Sequence, residues 1–443
     1  MLRLPVTTTK RASRNHLSSP CCFRSNSSLR DETNERIPRH KKNDYTEEYA
    51  QKRREFIYDK INTVTSLEHI SSYSIDSNIL PGNIENFIGV AQVPIGLSGP
   101  IQINGEYAKG AYYIPLATTE GTLIASYNRG MRLSKECGGI KSTIVDHKMQ
   151  RAPVFLCEDA LKAREFGKWI DQNFNTIKQI AETSTKSGKL IEICQYPIGP
   201  NMYLRFNYTT KDAAGQNMCG KATYIASEWI IKNYNKNINT MNKINNFKYM
   251  LSGSIDTDKK HSFMNMINTR GRKVIAEVIL KRDVLKRLGG GITPEQLFEY
   301  RQIGNAGAML SGSVYNGAHA ANGLTALFIA TGQDVANVAE SHAGITYTQL
   351  LPNGDYYWSV TLPSLIVATH GGGTNLPTQK ECLKILQCDG GDVTNDDDDG
   401  KGNQANKLAE ICAATVLAGD ISLTCAVLAG DWVSSHDQYG RNK

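Results

Sequence analysis

The feature that most restricts this chain is the stretch from Gly304 to Ser341, which carries no Asp, Glu, Lys or Arg before Asp334. Glycine and alanine recur along it, and a glycine costs about 1 kcal/mol relative to alanine inside a helix. So many glycines are expected only where a neighbouring backbone or a ligand approaches closely. The stretch therefore predicts one long, buried helix around which the rest of the chain packs.

A membrane span is the alternative interpretation of this stretch, because about 20 apolar residues suffice to cross a bilayer. The polar side chains of Asn316, His319 and Asn322 argue against it. We find no other window that is long and apolar enough. The sequence therefore predicts a protein without a transmembrane segment.

Bulk composition narrows the class of protein further. The 443 residues exceed the 250–300 at which single cores stop growing, so more than one domain is expected. The net charge of +7 is mild and is not gathered into a stripe, which fits an anionic small molecule better than nucleic acid. The ten cysteines show no C-x-x-C pair, so we expect reduced thiols and no structural metal site.

The first 30 residues contain six Lys or Arg, six Ser and no acidic residue. This composition is typical of a mitochondrial or plastid transit peptide, and a disordered basic tail is the alternative. We therefore assign residues 1–40 to a targeting or disordered segment, with an organelle matrix as the expected location and the cytosol as the alternative.

The remaining chain is predicted to be an α+β protein with a small domain inserted into a large one. Residues 41–84 form an N-terminal helical unit, and 85–151 and 263–443 form the two parts of the large domain. Residues 152–251 show the order β-α-β-β-α-β, which is the ferredoxin-like pattern. A polar loop, 252–262, follows the inserted domain, and a further helix is expected from Asn406 to His436.

Familiar catalytic and nucleotide-binding motifs are absent from the sequence, including G-x-G-x-x-G after a strand and G-x-x-x-x-G-K-[ST]. Four polar residues in small-residue surroundings remain as candidates: Glu120, Lys259, Asp334 and His436. Thr118 is predicted to cap a helix whose first turn contains Glu120. Spacing alone does not bring these four residues together.

Several segments, taken in order, closely resemble the 3-hydroxy-3-methylglutaryl-CoA (HMG-CoA) reductase family. They are ENFIGVAQVPIGLSGP (85–100), PLATTEGTLIASYNRG (115–130), DAAGQNMCGK (212–221), DTDKK (256–260), YNGAHAANGLTALFIATGQD (315–334), GGGTNLPTQ (371–379) and the LAGDISLTCAVLAG segment (417–430) with Ser434, Ser435 and His436 after it. The resemblance extends from about residue 45 to 441. The DTDKK segment is similar to the eukaryotic-type, class I enzymes.

This resemblance implies reduction of HMG-CoA to mevalonate and free CoA with two NADPH, a step toward isoprenoids and sterols. Lys259 would stabilise the negative charge that develops on the carbonyl oxygen, and Glu120 would supply protons at the aldehyde stage. Asp334 would keep Lys259 charged and favour the protonated form of Glu120. His436 would protonate the departing CoA thiolate.

The family pattern also assigns binding residues. For the HMG group it implies the polar residues Arg151, Ser252, Asp258, Lys260 and Asn322 and the apolar residues Leu123 and Leu423. For CoA it implies Ser126, Asn128, Arg129 and Arg132. For the nicotinamide cofactor, NADPH, it implies Asp212, Gly215, Asn217, Gly371, Gly372, Gly373 and Arg441.

The family fold is built around a long central helix, and its active site lies between subunits, so a dimer or a tetramer is implied. The sequence also departs from the family pattern. Tyr300 or Arg301 stands near the place of a usual Lys, and an extra residue near Gly317 shifts the helix start. The basic residue for the cofactor 2′-phosphate is not clearly matched, Lys178 being the nearest candidate.

At the C-terminus, Asn442 stands where many relatives have a phosphorylatable Ser, so we expect that control to be absent. The N-terminal membrane-spanning part of animal, plant and fungal relatives is also not expected. His319, a lone histidine in a helix of small residues, is interpreted as a core group.

Two rival functions remain. One is a catalytically silent CoA- or NADP-binding subunit. Such a subunit would be free to lose the four catalytic residue types, and their retention here argues against it. The other is a reductase of a different 3-hydroxyacyl-CoA, against which the HMG-binding set argues.

Overall fold

The N-terminal unit is a small helical layer on the main body. The computed structural model of the chain describes residues 36–237, 247–313, 315–389 and 403–430. Helices α1 (Glu47–Lys60) and α2 (Glu68–Ser71) and a short 3₁₀ turn (Ser77–Ile79) enclose a small core. Arg53 is buried there and donates to the carbonyl oxygens of Pro38 and Phe87 at 2.8 and 2.9 Å. Backbone acceptors and the Asp44 carboxylate thus satisfy a buried cation.

The large domain begins with an antiparallel hairpin and one helix. Strands β1 (Ile95–Asn104) and β2 (Lys109–Ala117) pair antiparallel, and α3 (Leu123–Glu136) packs on β1. The hairpin turn is held by Glu410, whose buried carboxylate accepts the N–H groups of Glu106, Tyr107 and Ala108 at 3.1, 2.9 and 2.6 Å. Long-range contact therefore fixes a turn that local sequence does not explain.

The inserted domain has its own hydrophobic core, separate from that of the large domain. Its elements are β3 (Lys141–Arg151), β4 (Val154–Leu156), α4 (Ala160–Gln172), α5 (Phe174–Glu182), β5 (Lys189–Ile198), β6 (Asn201–Thr209), α6 (Gln216–Asn237) and β7 (Lys248–Met250). Two helices, rather than the single one we expected, lie between β4 and β5. The sequence predicts the last strand of the inserted domain over residues 247–252, and β7 is shorter than that.

The second part of the large domain supplies three strands and most of the helices. Its elements are α7 (Phe263–Ile267), β8 (Gly271–Leu280), α8 (Arg282–Leu288), α9 (Pro294–Ser311), α10 (Ala320–Thr331), α11 (Val338–Ser341), β9 (Ile345–Leu350), β10 (Tyr356–Leu365), α12 (Pro377–Ile385) and α13 (Asn403–Leu428). Strand β9 was not expected from the sequence. The sequence predicts two separate strands here, around Tyr356–Thr361 and Ser364–Ala368, but they form the single strand β10, and residues 366–368 lie beyond it.

A continuous sheet of eight antiparallel strands joins the two domains. Its order is β7-β4-β6-β3-β8-β10-β9, with β5 on the other part of β6. Strand β3 was also not expected, and it belongs to both domains. Its residues Lys141–Lys148 pair with β8, whereas Met149–Arg151 pair with β6. The insertion is therefore connected to the large domain by a shared strand.

The expectation of one long helix from Gly304 to Ser341 is wrong. Helix α9 ends at Ser311 because Gly312 takes a left-handed conformation (φ +68°), which glycine adopts without steric penalty. The end of α9 is exposed, with Met309 and Leu310 at 85% and 91%. Within this stretch, α10 is the helix with mostly buried side chains, and Glu340 and Ser341 on α11 are buried as well.

The long central helix is instead α13, of 26 residues, which is enclosed by α3, α10 and the sheet. Within the described ranges it is the one helix that is long and apolar enough to span a membrane, so our expectation that no other window qualifies was incorrect. However, 83% of its most apolar window is buried inside the protein, as in a core helix. The sequence predicts this helix from Asn406 to His436, and the structure describes it from Asn403 to Leu428.

Candidate active site

Lys259 and Asp334 form an ion pair beside the C-terminal end of α10. The Lys259 Nζ lies 2.8 Å from Asp334 Oδ2, and both side chains are about half exposed. The hydrogen bond to Asp334 is the main reason that the pKa of Lys259 is raised. An ammonium has three N–H donors, so Lys259 can remain charged, hold Asp334 and still donate to a ligand oxygen.

The loop that carries Lys259 is organised by Asp256, a residue that sequence reasoning missed. Asp256 is buried, and its Oδ2 accepts from Arg151 NH1 at 3.0 Å and from Ser252 Oγ at 3.1 Å. Two of the predicted HMG-binding residues therefore meet on one carboxylate. The polar sequence DTDKK predicts a functional loop but does not indicate which of its acidic residues faces inward.

Asp258, the next predicted residue of this loop, pairs with buried Arg270. It also accepts from Gln216 Nε2 at 3.3 Å, and the same amide donates to Asn337 Oδ1 at 3.1 Å. Gln216 is the first residue of α6, so the start of that helix contacts the loop 252–262 that carries Lys259, called the lysine loop below. Lys260 is exposed, and its Nζ donates to the Asp258 carbonyl oxygen at 3.1 Å.

Two further buried groups near the loop were also missed. Arg205 on β6 is fully buried, and its Nε and NH2 have no hydrogen-bond partner among the described residues. Glu340 on α11 is fully buried and pairs with Arg270 at 3.3 Å. Burial raises the pKa of Glu340. Such partners lie 70 or more residues apart along the chain, where no sequence spacing connects them.

The predicted cofactor-binding residues that the structure describes lie near the same end of α10. The Asp212 carbonyl oxygen accepts the N–H groups of Thr369 and His370 at 2.9 and 3.3 Å. Its carboxylate accepts the Ala405 N–H at 2.7 Å, so it also ties this loop to α13. Gly215 (φ +84°) packs against Thr210, where a Cβ would lie 2.2 Å from Thr210 Cγ2. Asn217 follows in the first turn of α6.

The glycine loop 371–373 fits a dinucleotide. Gly371 and Gly372 are left-handed, and a Cβ on either would meet open space. Together with the start of α6, whose first N–H groups lack intrahelical partners, this loop can present backbone donors to phosphate oxygens. Gly373 approaches Gly332 so closely that a Cβ on Gly332 would lie 2.3 Å from the Gly373 carbonyl oxygen. The loop is therefore seated directly beside the segment of Asp334.

Glu120 lies elsewhere. Its carboxylate accepts from Asn322 Nδ2 at 3.2 and 3.3 Å, at the N-terminal end of α10. The nine steps from Asn322 to Thr331 rise roughly 13 Å at about 1.5 Å each. Within the described part of the chain, no hydrogen bond or ion pair joins Glu120 to Lys259 or Asp334. One copy of the chain thus does not bring the amine and both acids together.

The helix expected to open at Thr118 begins later, at Leu123. Thr118 Oγ1 accepts the Glu120 N–H at 3.0 Å in the preceding turn and caps no helix. Thr122 takes a left-handed conformation (φ +70°) just before the helix, which ends the turn. Glu120 is therefore an exposed turn residue.

The residues predicted to meet CoA lie on α3, next to α13 and the start of α10. Arg129 Nε donates to Ser422 Oγ at 2.9 Å, and Ser126 Oγ lies 3.2 Å from the same atom. Asn128 Oδ1 accepts the Gly99 N–H at 2.7 Å, and Arg132 is exposed. Of the two apolar residues predicted to contact HMG, Leu123 is buried and Leu423 is partly exposed.

His319 is a buried structural group, in agreement with its interpretation from sequence. Burial lowers its pKa to about 4, so it is neutral near pH 7. Tyr127 donates to its carbonyl oxygen at 2.8 Å. Its N–H and that of Ala318 donate to buried Asp420 at 2.8 and 2.9 Å. Asp420 on α13, which sequence reasoning missed, therefore fixes the start of α10.

Other candidates have clear positions or lie outside the description. Arg301 is buried and donates to the Asn316 carbonyl oxygen, so it is a structural residue of the α9–α10 connection. Lys178 on α5 lies 3.9 Å from Glu182. His436, Arg441, Asn442, the acid run 392–400 and residues 1–35 lie outside the described residues. In the described ranges, no three His, Cys, Asp or Glu side chains form a metal-binding group.

Comparisons with known proteins identify the family of the chain. Residues 49–441 match the family described as Hydroxymethylglutaryl-coenzyme A reductase. The chain is similar to the 3-hydroxy-3-methylglutaryl-coenzyme A reductase of Pyrococcus abyssi, with 45% identity over 85% of this chain and 89% of that one. The enzyme of Methanocaldococcus jannaschii is 42% identical over 88% of this chain and 92% of its own.

The fold is also similar to a solved structure of a class II 3-hydroxy-3-methylglutaryl-CoA reductase from Streptococcus pneumoniae bound to NADPH. The TM-score is 0.61 at 17% identity, over 85% of this chain and 97% of that one. A family match over most of the sequence, together with relatives of this identity, leads to one conclusion: the chain belongs to the hydroxymethylglutaryl-coenzyme A reductase family.

Proposed function

We propose that this chain reduces HMG-CoA to mevalonate and free CoA with NADPH. The balanced reaction consumes two NADPH and two protons and releases two NADP⁺. The observation that carries the proposal is the Lys259–Asp334 pair, placed where the lysine loop, the start of α6 and the glycine loop 371–373 meet. The product, mevalonate, is a precursor of isoprenoids, and we propose that these include sterols.

Lys259 acts on the thioester carbonyl. Its ammonium donates to the carbonyl oxygen, where negative charge develops, while Asp334 keeps the amine protonated. The carboxylates here are Asp256, Asp258, Asp334 and Glu340, and they are outnumbered by one by the cations Arg151, Arg205, Arg270, Lys259 and Lys260. This excess favours an anionic substrate such as the HMG carboxylate. Ser252 and Lys260 complete this set.

NADPH supplies hydride to the substrate carbon when it is bound. The chain contributes the N–H groups at the start of α6, next to Asn217, and the open backbone of Gly371 and Gly372. We assign to Lys178 the contact with the 2′-phosphate and to Arg441 a second contact. His436 protonates the departing CoA thiolate.

We further propose that two copies of the chain share each site. Lys259 with Asp334 and Glu120 with Asn322 lie at opposite ends of α10, so a second copy is needed to bring an intact set together. The exposed apolar side chains on α9, Ile303 (65%), Met309 and Leu310, offer a surface that association would bury. At least a dimer is therefore part of the proposal.

Within the family, we assign the chain to the eukaryotic-type class I arrangement on the DTDKK sequence of 256–260. We also propose that residues 1–30 direct the chain to mitochondria. A fusion of residues 1–40 to a fluorescent reporter tests this proposal, and a diffuse cytosolic signal would contradict it.

The activity is tested with purified protein, HMG-CoA and NADPH, by following nicotinamide absorbance and free thiol. Two NADPH should be oxidised per CoA released, and Lys259→Ala and His436→Ala should each lower kcat by at least about 100-fold. Lys141→Ala, at an exposed lysine on β3, serves as the control. An inactive wild type would favour the silent relative, and preference for another 3-hydroxyacyl-CoA would favour the second rival.

The shared site is tested by mixing two inactive variants. Glu120→Ala and Lys259→Ala subunits, dissociated and reassembled together, form mixed dimers that contain one site with both residues intact. Activity should reappear on mixing and approach about a quarter of the wild-type value, since half the dimers are mixed and each has one working site. Failure to regain activity in verified mixed dimers would show that the site is not shared.

A further inference from the structure

Lys259 is held at two points by one short segment, residues 334–341. Its ammonium pairs with Asp334, and its backbone N–H donates to Glu340 Oε1 at 3.1 Å. Lys259 is left-handed (φ +54°), a conformation that non-glycine residues seldom adopt. A specific backbone contact is therefore needed to keep the chain in this conformation at the residue that carries the amine.

Glu340 is in turn held by Arg270, which reaches across the whole lysine loop. Arg270 Nε lies 3.3 Å from the same Glu340 oxygen, and its NH2 pairs with Asp258. Its NH1 donates to the carbonyl oxygens of Asp256 and Gln150 at 3.2 and 3.4 Å. Arg270 is 1% exposed, so its fork is fixed by packing as well as by these bonds.

The segment itself is firmly attached to the chain beyond β10. Gln333 exchanges two hydrogen bonds with Ala368, at 2.7 and 2.9 Å. Ser341 Oγ accepts the Ile366 N–H at 3.0 Å. Both ends of the segment are thus anchored, so it can act as a rigid reference for the loop that it touches.

From these contacts we propose that Glu340 is a positioning residue, which with Arg270 sets the backbone of Lys259 so that its amine points at the reacting carbonyl. The proposal rests on the proposed function of Lys259. Glu340 is 0% exposed, and its second oxygen, Oε2, has no hydrogen-bond partner among the described residues. A buried, half-satisfied carboxylate destabilises a fold, which argues that it is retained for the loop and not for stability.

The decisive variants change the charge or the reach of Glu340. Glu340→Gln keeps the carbonyl acceptor and the length but weakens the bond, since a charge-assisted bond is roughly twice as strong as a neutral one. Glu340→Asp keeps the charge but is one methylene shorter. We expect the single-turnover rate of NADPH oxidation to fall about 10-fold in the first variant and further in the second, because small misplacements of a reacting group have effects up to about 100-fold.

A structural role alone would not give a selective effect on the rate. KM for NADPH should stay within about twofold of wild type, because the hydrogen bonds of the Glu340 side chain within the described residues go to Lys259 and Arg270 and not to a predicted cofactor residue. Glu410→Gln is the matched control: Glu410 is equally buried and also accepts backbone N–H groups, but only in the β1–β2 turn. It should lower the melting temperature and leave the rate per folded molecule unchanged.

A measurement without mutation covers the case in which the variants do not fold. In the wild type, the Lys259 amide hydrogen should exchange slowly with solvent despite the exposed side chain, and fast exchange there would overturn the proposal. Wild-type rates in folded Glu340→Gln would overturn it as well, while Lys259→Ala remains inactive. If Lys259→Ala were fully active instead, the assignment of the site would fail, which is a separate result.

Discussion

The two ends of α10 have the same plan but different electrostatics. Each end has an exposed polar pair, Glu120–Asn322 at the N-terminal end and Lys259–Asp334 at the C-terminal end. Each end also has a fully buried carboxylate, Asp420 at the first and Glu340 at the second. Among the described residues, the donors to Asp420 are neutral: two backbone N–H groups and the Tyr315 hydroxyl. Glu340 faces the cation of Arg270.

This difference indicates separate tasks for the two ends. The neutral donors around Asp420 fix where α10 begins and so support the fold. The charged partners around Glu340 and Asp334 fix the amine of Lys259, to which we assigned a charged role in the proposed mechanism. The following predictions test this comparison, from the largest expected effect to the smallest.

Removing the Asp420 carboxylate should have the largest effect on stability. Asp420→Ala leaves two backbone N–H groups and the Tyr315 hydroxyl buried without an acceptor, and we expect the free energy of unfolding to fall by about 4 kcal/mol. Asp420→Asn keeps a carbonyl acceptor and should lose much less. Denaturant unfolding measures both. Equal losses for the two variants would mean that charge, and not the acceptor, matters at this end.

Removing the charge of Asp334 should affect chemistry more than stability. Asp334→Asn should lower kcat about 100-fold, close to 3 kcal/mol in activation free energy. It should also bring the alkaline loss of activity to lower pH, because the hydrogen bond to Asp334 is what raises the pKa of Lys259. The pH profile of kcat measures this shift. An alkaline limb at the wild-type position would contradict it.

Truncating Asn322 should have a smaller effect at the other end. Asn322→Ala removes the amide that donates to both Glu120 oxygens, so we expect kcat/KM to fall about 10-fold, near 1.4 kcal/mol. Unfolding should be little changed, since this pair is exposed. Steady-state kinetics and thermal melting together measure it. A large loss of stability would instead assign Asn322 to the support of α10.

The smallest effect concerns the pH dependence of stability. Burial is the main reason that the pKa of Asp420 is raised above its ordinary 3.8. A carboxyl whose pKa is higher in the folded state stabilises the fold at low pH, and this contribution is lost as the pH rises through the folded value. The melting temperature of Asp420→Asn should therefore gain on that of the wild type as the pH rises above 3.8. A constant difference would show that Asp420 ionises normally.

Local sequence explains the elements of this fold better than their connections. Alternation of strands and helices over 152–251 predicts the order of the inserted domain, because each amphipathic segment reports its own periodicity. The break between α9 and α10 was not predictable in this way. It depends on the left-handed Gly312 and on Asp420, which lies about 100 residues away in the sequence and captures the N–H groups of Ala318 and His319.

The candidate site shows the same limit. Resemblance identified Lys259, Asp334 and Glu120, but Arg270 and Glu340 were missed because buried ion pairs have no sequence periodicity. The opposite placement of Glu120 likewise depends on the path of α10. What remains invisible in one sequence is therefore the set of long-range contacts that orient the reactive groups.

The packing of Gly332 against Gly373 has a mechanical consequence. No side chain fits between these two backbones, so the turn that leads to Asp334 and the glycine loop are in direct backbone contact. A ligand that displaces the glycine loop must either move the Asp334 carboxylate with it or separate Gly332 from Gly373. If the dinucleotide binds this loop as proposed, its binding would therefore change the position of Asp334, the partner of Lys259.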